Sequence, residues 1–262
     1  MCIRDRDILK RNIADYAVNA FHHAQDKALA SSGKRLKTWH VSDFVSPCLR
    51  KAYYTRLYPD YEMDDQKRAV LYFGTIVHEH SQLSGFHEMT MCYDLEKDMA
   101  FTPQHVGTME EEQKRNMITG TLDDLIKVGD QYVIVDKKTY NGGYGFKKTT
   151  PDESYKFQLE IYRVLLEASF GIDASVGCLL YLDKSKDLKE TPIVFDLESI
   201  DNTKSKMIDI MKILQGVDVP AGNVCWLCNG NNRNNKIYCQ YEEECQREGN
   251  RIIEKAMIKK AK

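Results

Sequence analysis

The sequence lacks any apolar run approaching the ~18 residues of a membrane-spanning helix, which excludes an integral membrane protein. Its opening, Met1-Cys2-Ile3-Arg4-Asp5-Arg6-Asp7, has no apolar stretch of the signal-peptide kind, so the expected compartment is the cytoplasm. There is no excess of positive charge either. Thirty-seven Lys and Arg stand against 39 Asp and Glu, for a net charge of −2 and a pI near 6.4. That excludes a protein that coats DNA by bulk charge and leaves room for an enzyme with a local basic groove. No internal repeat is present. A disulfide framework is not expected without a secretion signal, although there are eight cysteines. Four of them, Cys225, Cys228, Cys239 and Cys245, crowd the C-terminal region, and clustered thiols in a cytosolic chain favour metal binding.

What is present is an ordinary globular composition: 262 residues, 42% hydrophobic and 29% charged. A chain of this length affords a core in one or two domains. Ile8, Leu9, Ile13, Tyr16, Ala17, Ala20 and Phe21 recur near 3.6 spacing and predict a helix over 7–30, ended by Ser31-Ser32-Gly33. Ser42 or Asp43 is placed to cap a second helix running through Tyr53 and Tyr54. A third helix is expected over 65–83, and one strand with a loop over 86–112. Strands follow over 117–128 and 131–139, a helix over 152–170, strands over 174–183 and 191–197, and a helix over 198–215. Pro220-Ala221-Gly222-Asn223 opens the cysteine region, and a charged helix is expected over 242–262. Helices flanking a central group of strands give an α/β or α+β class. The expected organisation is a helical N-terminal segment (1–62), a core (63–216) and a cysteine-cluster region with a terminal helix (217–262).

The most informative stretch runs from Gly120 to Thr139. Gly129-Asp130 between two β-rich runs is a two-residue hairpin signal. That loop pairs Val128 with Gln131, so Asp123 falls opposite Asp136, and Lys138 shares the face of Asp136. Directly opposed carboxylates repel. They are rational if a cation sits between them, and Mg²⁺ or Mn²⁺ prefers such oxygen ligands. Lys138 is then placed to orient a water or steady phosphate charge. The alternative is a solvated edge hairpin, against which the continuous Tyr132-Val133-Ile134-Val135 run before Asp136 argues. By the pleat, Asp124 points to the other face and is read as structural.

Gly120-x-Leu122-Asp123 followed by Val133-Ile134-Val135-Asp136-Lys137-Lys138-Thr139 resembles the core motif of PD-(D/E)XK nucleases, and the Asp136-x-Lys138 form resembles the RecB-type branch. Gly74-Thr75-Ile76-Val77-His78 is similar to that branch's helical Gly-x-x-x-His element, and Gln158-Leu159-Glu160-Ile161-Tyr162 to its Gln-x-x-x-Tyr element. The resemblance implies a restriction-endonuclease-like core, with His78, Asp123, Asp136 and the Lys137 carbonyl holding Mg²⁺ or Mn²⁺. It implies Lys138 acting on water and phosphate, and Gln158 and Tyr162 positioning a DNA strand. Arg50, Lys51, Lys137, Lys147 and Lys148 are candidate basic contacts. The last two follow a Gly-rich stretch whose aromatics suit stacking on a single strand.

Cys225-x2-Cys228-x10-Cys239-x5-Cys245 fits either a local four-thiolate zinc site or an iron–sulfur cluster that also uses Cys48. Ser46-Pro47-Cys48-Leu49-Arg50 resembles the N-terminal cysteine segment of iron–sulfur RecB-type nucleases, such as the CRISPR-associated adaptation exonucleases and AddB-like nuclease domains. In that group one cysteine before the core and three after it hold a 4Fe–4S cluster. Here four late cysteines are present, so one of Cys225 and Cys228 is spare in that reading. Cys92 and Cys178, in apolar strand-like surroundings, are read as inert. The resemblance implies an exonuclease on single-stranded or frayed DNA ends in recombination, repair or CRISPR adaptation, with proteins of those processes as partners, in a prokaryotic, archaeal or viral setting. The competing expectations are a non-catalytic DNA-binding module with a four-cysteine zinc site on a decayed nuclease fold, and a structure-selective endonuclease of the same fold.

Overall fold

In the computed structural model, which describes residues 36–46, 48–57, 72–76, 83, 86–140 and 149–216, the two strands around Gly129-Asp130 form the middle of a mixed sheet. The chain divides into one unit of residues 1–36 and 62–82 and another of residues 37–61 and 83–262. In the first, a helical stretch covers 72–76. The helix expected over 7–30, most of the one expected over 65–83 and everything beyond Gly216 lie outside the described residues.

In chain order the second unit contains β1 (Trp39–His40), α1 (Val41–Phe44), α2 (Leu49–Leu57), β2 (His87–Asp94), β3 (Met99–Phe101) and α3 (Pro103–Thr108). There follow β4 (Met117–Val128), β5 (Gln131–Tyr140), α4 (Glu153–Phe170), β6 (Val176–Asp183), β7 (Lys189–Asp196) and α5 (Ile200–Leu214). The sheet order is β3-β2-β4-β5-β6-β7, with β1 added beside β4. Two pairings are parallel, β1 with β4 and β5 with β6; the rest are antiparallel. The parallel β5–β6 step needs a crossover, and α4 supplies it. This is the mixed α/β architecture expected from the order of elements.

Local chemistry explains the boundaries. Gly129 has φ +63° and Asp130 a negative φ, the sign pattern of a type II′ hairpin turn, and the positive value suits a residue without a Cβ. The Thr102 hydroxyl accepts from the His105 N–H (3.3 Å) and the Ser199 hydroxyl from the Asn202 N–H (3.3 Å), capping α3 and α5. Helix α4 is buried around much of its girth, at Leu159, Ile161, Tyr162, Val164, Leu165 and Leu166, because it touches both the sheet and α5. Those side chains join Tyr93, Ile118, Leu125, Ile134, Leu179 and Tyr181 in one core.

Two expectations need correction. The helix expected from Ser42 or Asp43 through Tyr54 is two helices, and its N-cap is His40, whose N–H donates to Asp43 Oδ2 at 2.8 Å. It breaks after Phe44 because Ser46 precedes a proline, which disfavours helical geometry there. The span 86–112, expected to hold one strand, holds the β2–β3 hairpin and α3. Asp94 Oδ1 makes that turn by accepting from the N–H groups of Glu96 and Lys97, both at 3.1 Å.

Candidate active site

The hairpin register runs from Val128↔Gln131 to Asp124↔Val135, as the turn position requires, and the ladder stops there. Beyond it the sheet forks. The remainder of β5, Asp136 to Tyr140, stays paired with β6 alone. The first part of β4 pairs with β2 on one edge and with β1, at Ile118 and Thr119, on the edge that β5 has left. Asp123 and Asp136 are the first residues past the last rung, one on each arm.

Asp123 is irregular on its other edge too. The β2 ladder pairs Asp124 with His87 and Leu122 with Met89 but skips Asp123, which stands opposite Glu88. Glu88 has φ +51°, a left-handed value uncommon for a side chain of that kind. The alternation of β4 slips here as well. Gly120 faces α4, since a Cβ there would lie 2.8 Å from Tyr162 Cε1. Leu125 also faces α4: it is beside Ile134, which is beside Gly177, where a Cβ would meet Leu159 at 2.9 Å. Residues five apart share a face in no regular strand, so the slip falls between them, where the acids are. It frees the Asp123 carboxylate to reach across the fork, where Oδ2 accepts the Lys137 N–H at 2.8 Å.

On the α4 side a chain of polar contacts crosses from sheet to helix. Asp136 is buried at 1% exposure, and its Oδ2 lies 2.8 Å from Lys138 Nζ. Lys138 Nζ donates to Gln158 Oε1 (3.1 Å), and Gln158 Nε2 donates to the Tyr162 hydroxyl (3.1 Å). Gln158 and Tyr162 are one helical turn apart and share a face. Tyr155, a turn earlier, sets its ring 4.6 Å from Lys138 Nζ, a cation–π contact that the sequence reading missed. Burial, the largest influence on the Lys138 ammonium, works to lower its pKa. The Asp136 carboxylate, through charge and hydrogen bond, then Asp123 and Tyr155, outweigh it and hold the pKa above the ordinary lysine value. Burial, then the charges of Asp136 and Asp123, push the Tyr162 hydroxyl well above the usual tyrosine range despite the Gln158 bond. The site thus presents a charged ammonium and a neutral phenol.

The opposite face holds a second pair. Asp124 is fully buried, and its Oδ2 lies 2.8 Å from Lys137 Nζ, whose side chain is 1% exposed. Asp124 Oδ1 accepts the Leu83 N–H at 2.9 Å. Asp124 is therefore structural on the far face, as the pleat suggested. The expectation that Lys137 offers a basic contact to DNA is corrected: its ammonium is committed to Asp124 inside the protein. The signal was readable, since a lysine doublet on a strand sends one side chain to each face, and Lys137 is the diagonal neighbour of Asp124 across the rung.

The structure brings Asp123, Asp136, Lys138, Gln158 and Tyr162 together. His78, Lys147, Lys148 and the cysteines 225, 228, 239 and 245 lie outside the described residues. Cys48 opens α2 and is buried, its carbonyl accepting from Lys51 and Ala52. Arg50 is buried at 6% exposure, so Lys51 is the more accessible of the two basic candidates on α2. Cys92 is buried beside the Thr119 hydroxyl at 3.5 Å, whereas Cys178 is half-buried, and burial raises the thiol pKa of both.

Among the described residues no three His, Cys, Asp or Glu side chains gather as a metal site. The donor set still fits a hard divalent ion. Mg²⁺ keeps several waters and takes one or two carboxylates, which is what the fork offers in Asp123 and Asp136. A cavity of about 620 Å³, lined by Leu95, Arg115, Asn116, Met211 and Gln215 among others, and one of about 330 Å³ beside Trp39, Tyr53 and Arg56, lie elsewhere; none of the five clustered residues lines either. Among the described residues no helix is long and apolar enough to cross a membrane.

Comparison with known proteins gives three findings. The profile of the PD-(D/E)XK nuclease superfamily matches residues 17–246. No curated protein sequence matches. Among solved structures, the crystal structure of SSO0001 is similar, at 20% identity and a TM-score of 0.51, over 74% of this chain and 86% of that one. An alkaline exonuclease from Laribacter hongkongensis matches at 13% identity and a TM-score of 0.38, over 72% of this chain and 92% of that one.

Proposed function

Because the chain belongs to the PD-(D/E)XK nuclease superfamily, we propose that it is a metal-dependent DNA nuclease that removes nucleotides from single-stranded or frayed ends. The observation that carries the reading is the continuous chain from Asp136 through Lys138 and Gln158 to Tyr162 beside the fork. Asp123 and Asp136 would hold a Mg²⁺ or Mn²⁺ ion with the Lys137 carbonyl; His78, which the resemblance adds as a ligand, lies outside the described residues. The bound ion supplies Lewis acidity for water activation and for the charge of phosphoryl transfer. Lys138, kept charged by Asp136, donates to the scissile phosphate and offsets its negative charge. Gln158 fixes the Lys138 head group, and Tyr162 fixes Gln158, so the donor geometry is set before substrate arrives. Lys51, with Lys147 and Lys148, grips the strand through its phosphates, so binding weakens with salt.

The cysteine region extends the same reading. We assign Cys48 and three of Cys225, Cys228, Cys239 and Cys245 to a 4Fe–4S cluster; zinc on the four late thiolates is the competing outcome. Iron content and absorbance near ~400 nm in protein purified without oxygen decide between them.

The test of activity is digestion of end-labelled linear and covalently closed circular single strands with Mg²⁺ or Mn²⁺. Linear strands should shorten from an end and circles should survive, with EDTA or Asp136→Asn abolishing the reaction. Cleavage of circles would assign an endonuclease. No cleavage of any DNA, with heat of Mn²⁺ binding also absent, would leave a DNA-binding module.

A further inference from the structure

We propose that the buried Asp124–Lys137 ion pair, on the face away from the site, is a positioning pair that sets the separation of Asp123 and Asp136. The inference rests on the reading above, in which those two acids hold the divalent ion. Its basis is where the pair sits. The last rung between β4 and β5 is Asp124↔Val135, and beyond it no backbone pairing holds the two arms together. Asp124 belongs to that rung, and Lys137 lies on the β5 arm just past it. Their 2.8 Å contact therefore spans the root of the fork. Asp124 Oδ1 also accepts the Leu83 N–H, so one carboxylate ties β4, β5 and the chain entering the sheet unit.

Each member adjoins an acid of the site. Asp124 follows Asp123 directly, and Lys137 follows Asp136 directly. The Lys137 N–H donates to Asp123 Oδ2, so any rotation of residue 137 moves a donor of the site itself. A lysine whose side chain is 1% exposed and locked to a fully buried carboxylate has little freedom to rotate. Stability alone is a poor reason for such a pair, since apolar residues of similar size in place of a buried ion pair are often as stable or more so. Groups one layer behind a metal ligand set its orientation, and losing them weakens metal affinity roughly 10- to 100-fold.

The test compares wild type with the double variant Asp124→Leu/Lys137→Met and the isosteric Asp124→Asn. Three quantities are measured on each: thermal unfolding, Mn²⁺ affinity by calorimetry, and kcat and KM on a linear single strand. The double variant should unfold at or above the wild-type temperature, bind Mn²⁺ at least ~10-fold more weakly, and lose kcat with KM for DNA little changed. Asp124→Asn takes the Asp124 counter-charge from the buried Lys137 ammonium, so it should unfold below wild type. Measured where it remains folded, it should also bind Mn²⁺ more weakly than wild type, and it serves alone if the double variant does not fold. A wild type that binds Mn²⁺ with variants that match it would overturn the positioning role and leave the active site standing. A wild type that neither binds Mn²⁺ nor cuts DNA would overturn the active-site reading and this inference with it.

Discussion

Replacing Gly120 by alanine should damage the site from behind. An added Cβ would lie 2.5 Å from Val41 Cγ2, 2.8 Å from Tyr162 Cε1 and 3.3 Å from Leu165 Cδ2. Carbon atoms in contact sit ~3.5–4.0 Å apart, so the first two must retreat. Both are buried, Val41 at the start of α1 and Tyr162 on α4, with no solvent side to move toward. Overpacking of this kind costs roughly 1–3 kcal/mol. The loss of glycine's freedom in the unfolded chain returns about 0.4–1 kcal/mol. The net destabilisation is about 1–2 kcal/mol, a fall in Tm of roughly 2–8 °C for a domain of this size. Displacement of the Tyr162 ring pulls on Gln158 and through it on Lys138, and misplacement by ~1 Å can cost up to ~100-fold in rate. Cleavage at 20 °C, where the variant stays folded, should therefore fall by at least ~10-fold. Denaturant unfolding checks the stability, with the midpoint lowered and the slope unchanged. Val41→Ala in the same chain should recover part of the loss, a coupling that a double-mutant cycle measures. An unaltered midpoint with full activity would refute the close approach of β4 to α4.

Tyr162→Phe deprives Gln158 Nε2 of its acceptor. It should cost about 0.5–1.5 kcal/mol and lower kcat, and wild-type kinetics would remove Tyr162 from the polar chain. Lys138 should titrate above exposed lysines when its Nζ is followed by NMR, and Asp136→Asn should lower that value. Because the folded pKa is raised, the stability Lys138 contributes is complete below the unfolded value of ~10.4 and fades only as pH climbs through the folded one. Unfolding near neutral pH should therefore show the full contribution and no pH dependence from Lys138, and a Lys138 midpoint below the surface lysines would contradict the Asp136 contact. Arg163→Ala removes two bonds to Asp173, at 2.7 and 3.0 Å, and those to the Leu197 and Glu198 carbonyls. Unfolding should be easier by roughly 1.5–3 kcal/mol with cleavage at 20 °C intact; a loss of cleavage in folded protein would implicate it in the site.

The hairpin was legible because two local signals agreed: a turn dipeptide that fixes register, and β-rich runs on both sides. The fork was not, because pairing arithmetic continues past the point where a strand changes partner, and nothing local marks where β1 replaces β5 beside β4. The β2–β3 hairpin was hidden for a related reason. Its turn is made by the Asp94 side chain and a positive φ at Asp98, without a glycine to announce it. Helix α4 was plain from its period, whereas Gln158 and Tyr162 stood out through the resemblance to the Gln-x-x-x-Tyr element and not through their spacing, which many helices share. Tyr155 did not, since its contact with Lys138 depends on how the helix crosses the sheet, which no spacing encodes.

Two acids at the root of a fork raise the question of what holds them before any cation arrives. The structure gives each its own donor: the Lys137 N–H for Asp123 and the Lys138 ammonium for Asp136. Lys138→Met should expose the arrangement. Asp136, at 1% exposure, would lose its counter-charge while Asp123 stays nearby. Breaking a buried pair in this way costs roughly 3–5 kcal/mol, less here because the Lys138 side chain is 20% exposed. A fall of about 2–3 kcal/mol in EDTA is therefore expected. A divalent ion, bound by the native state alone, stabilises in proportion to RT ln(1 + [L]/Kd), and it takes over the charge that the lysine had balanced. Mg²⁺ should then raise the Tm of the variant more than that of wild type, in which the ammonium already serves. Equal shifts, or an undiminished Tm in EDTA, would mean that the acids are far enough apart to need no balancing charge, and the case for a shared cation between them would fail.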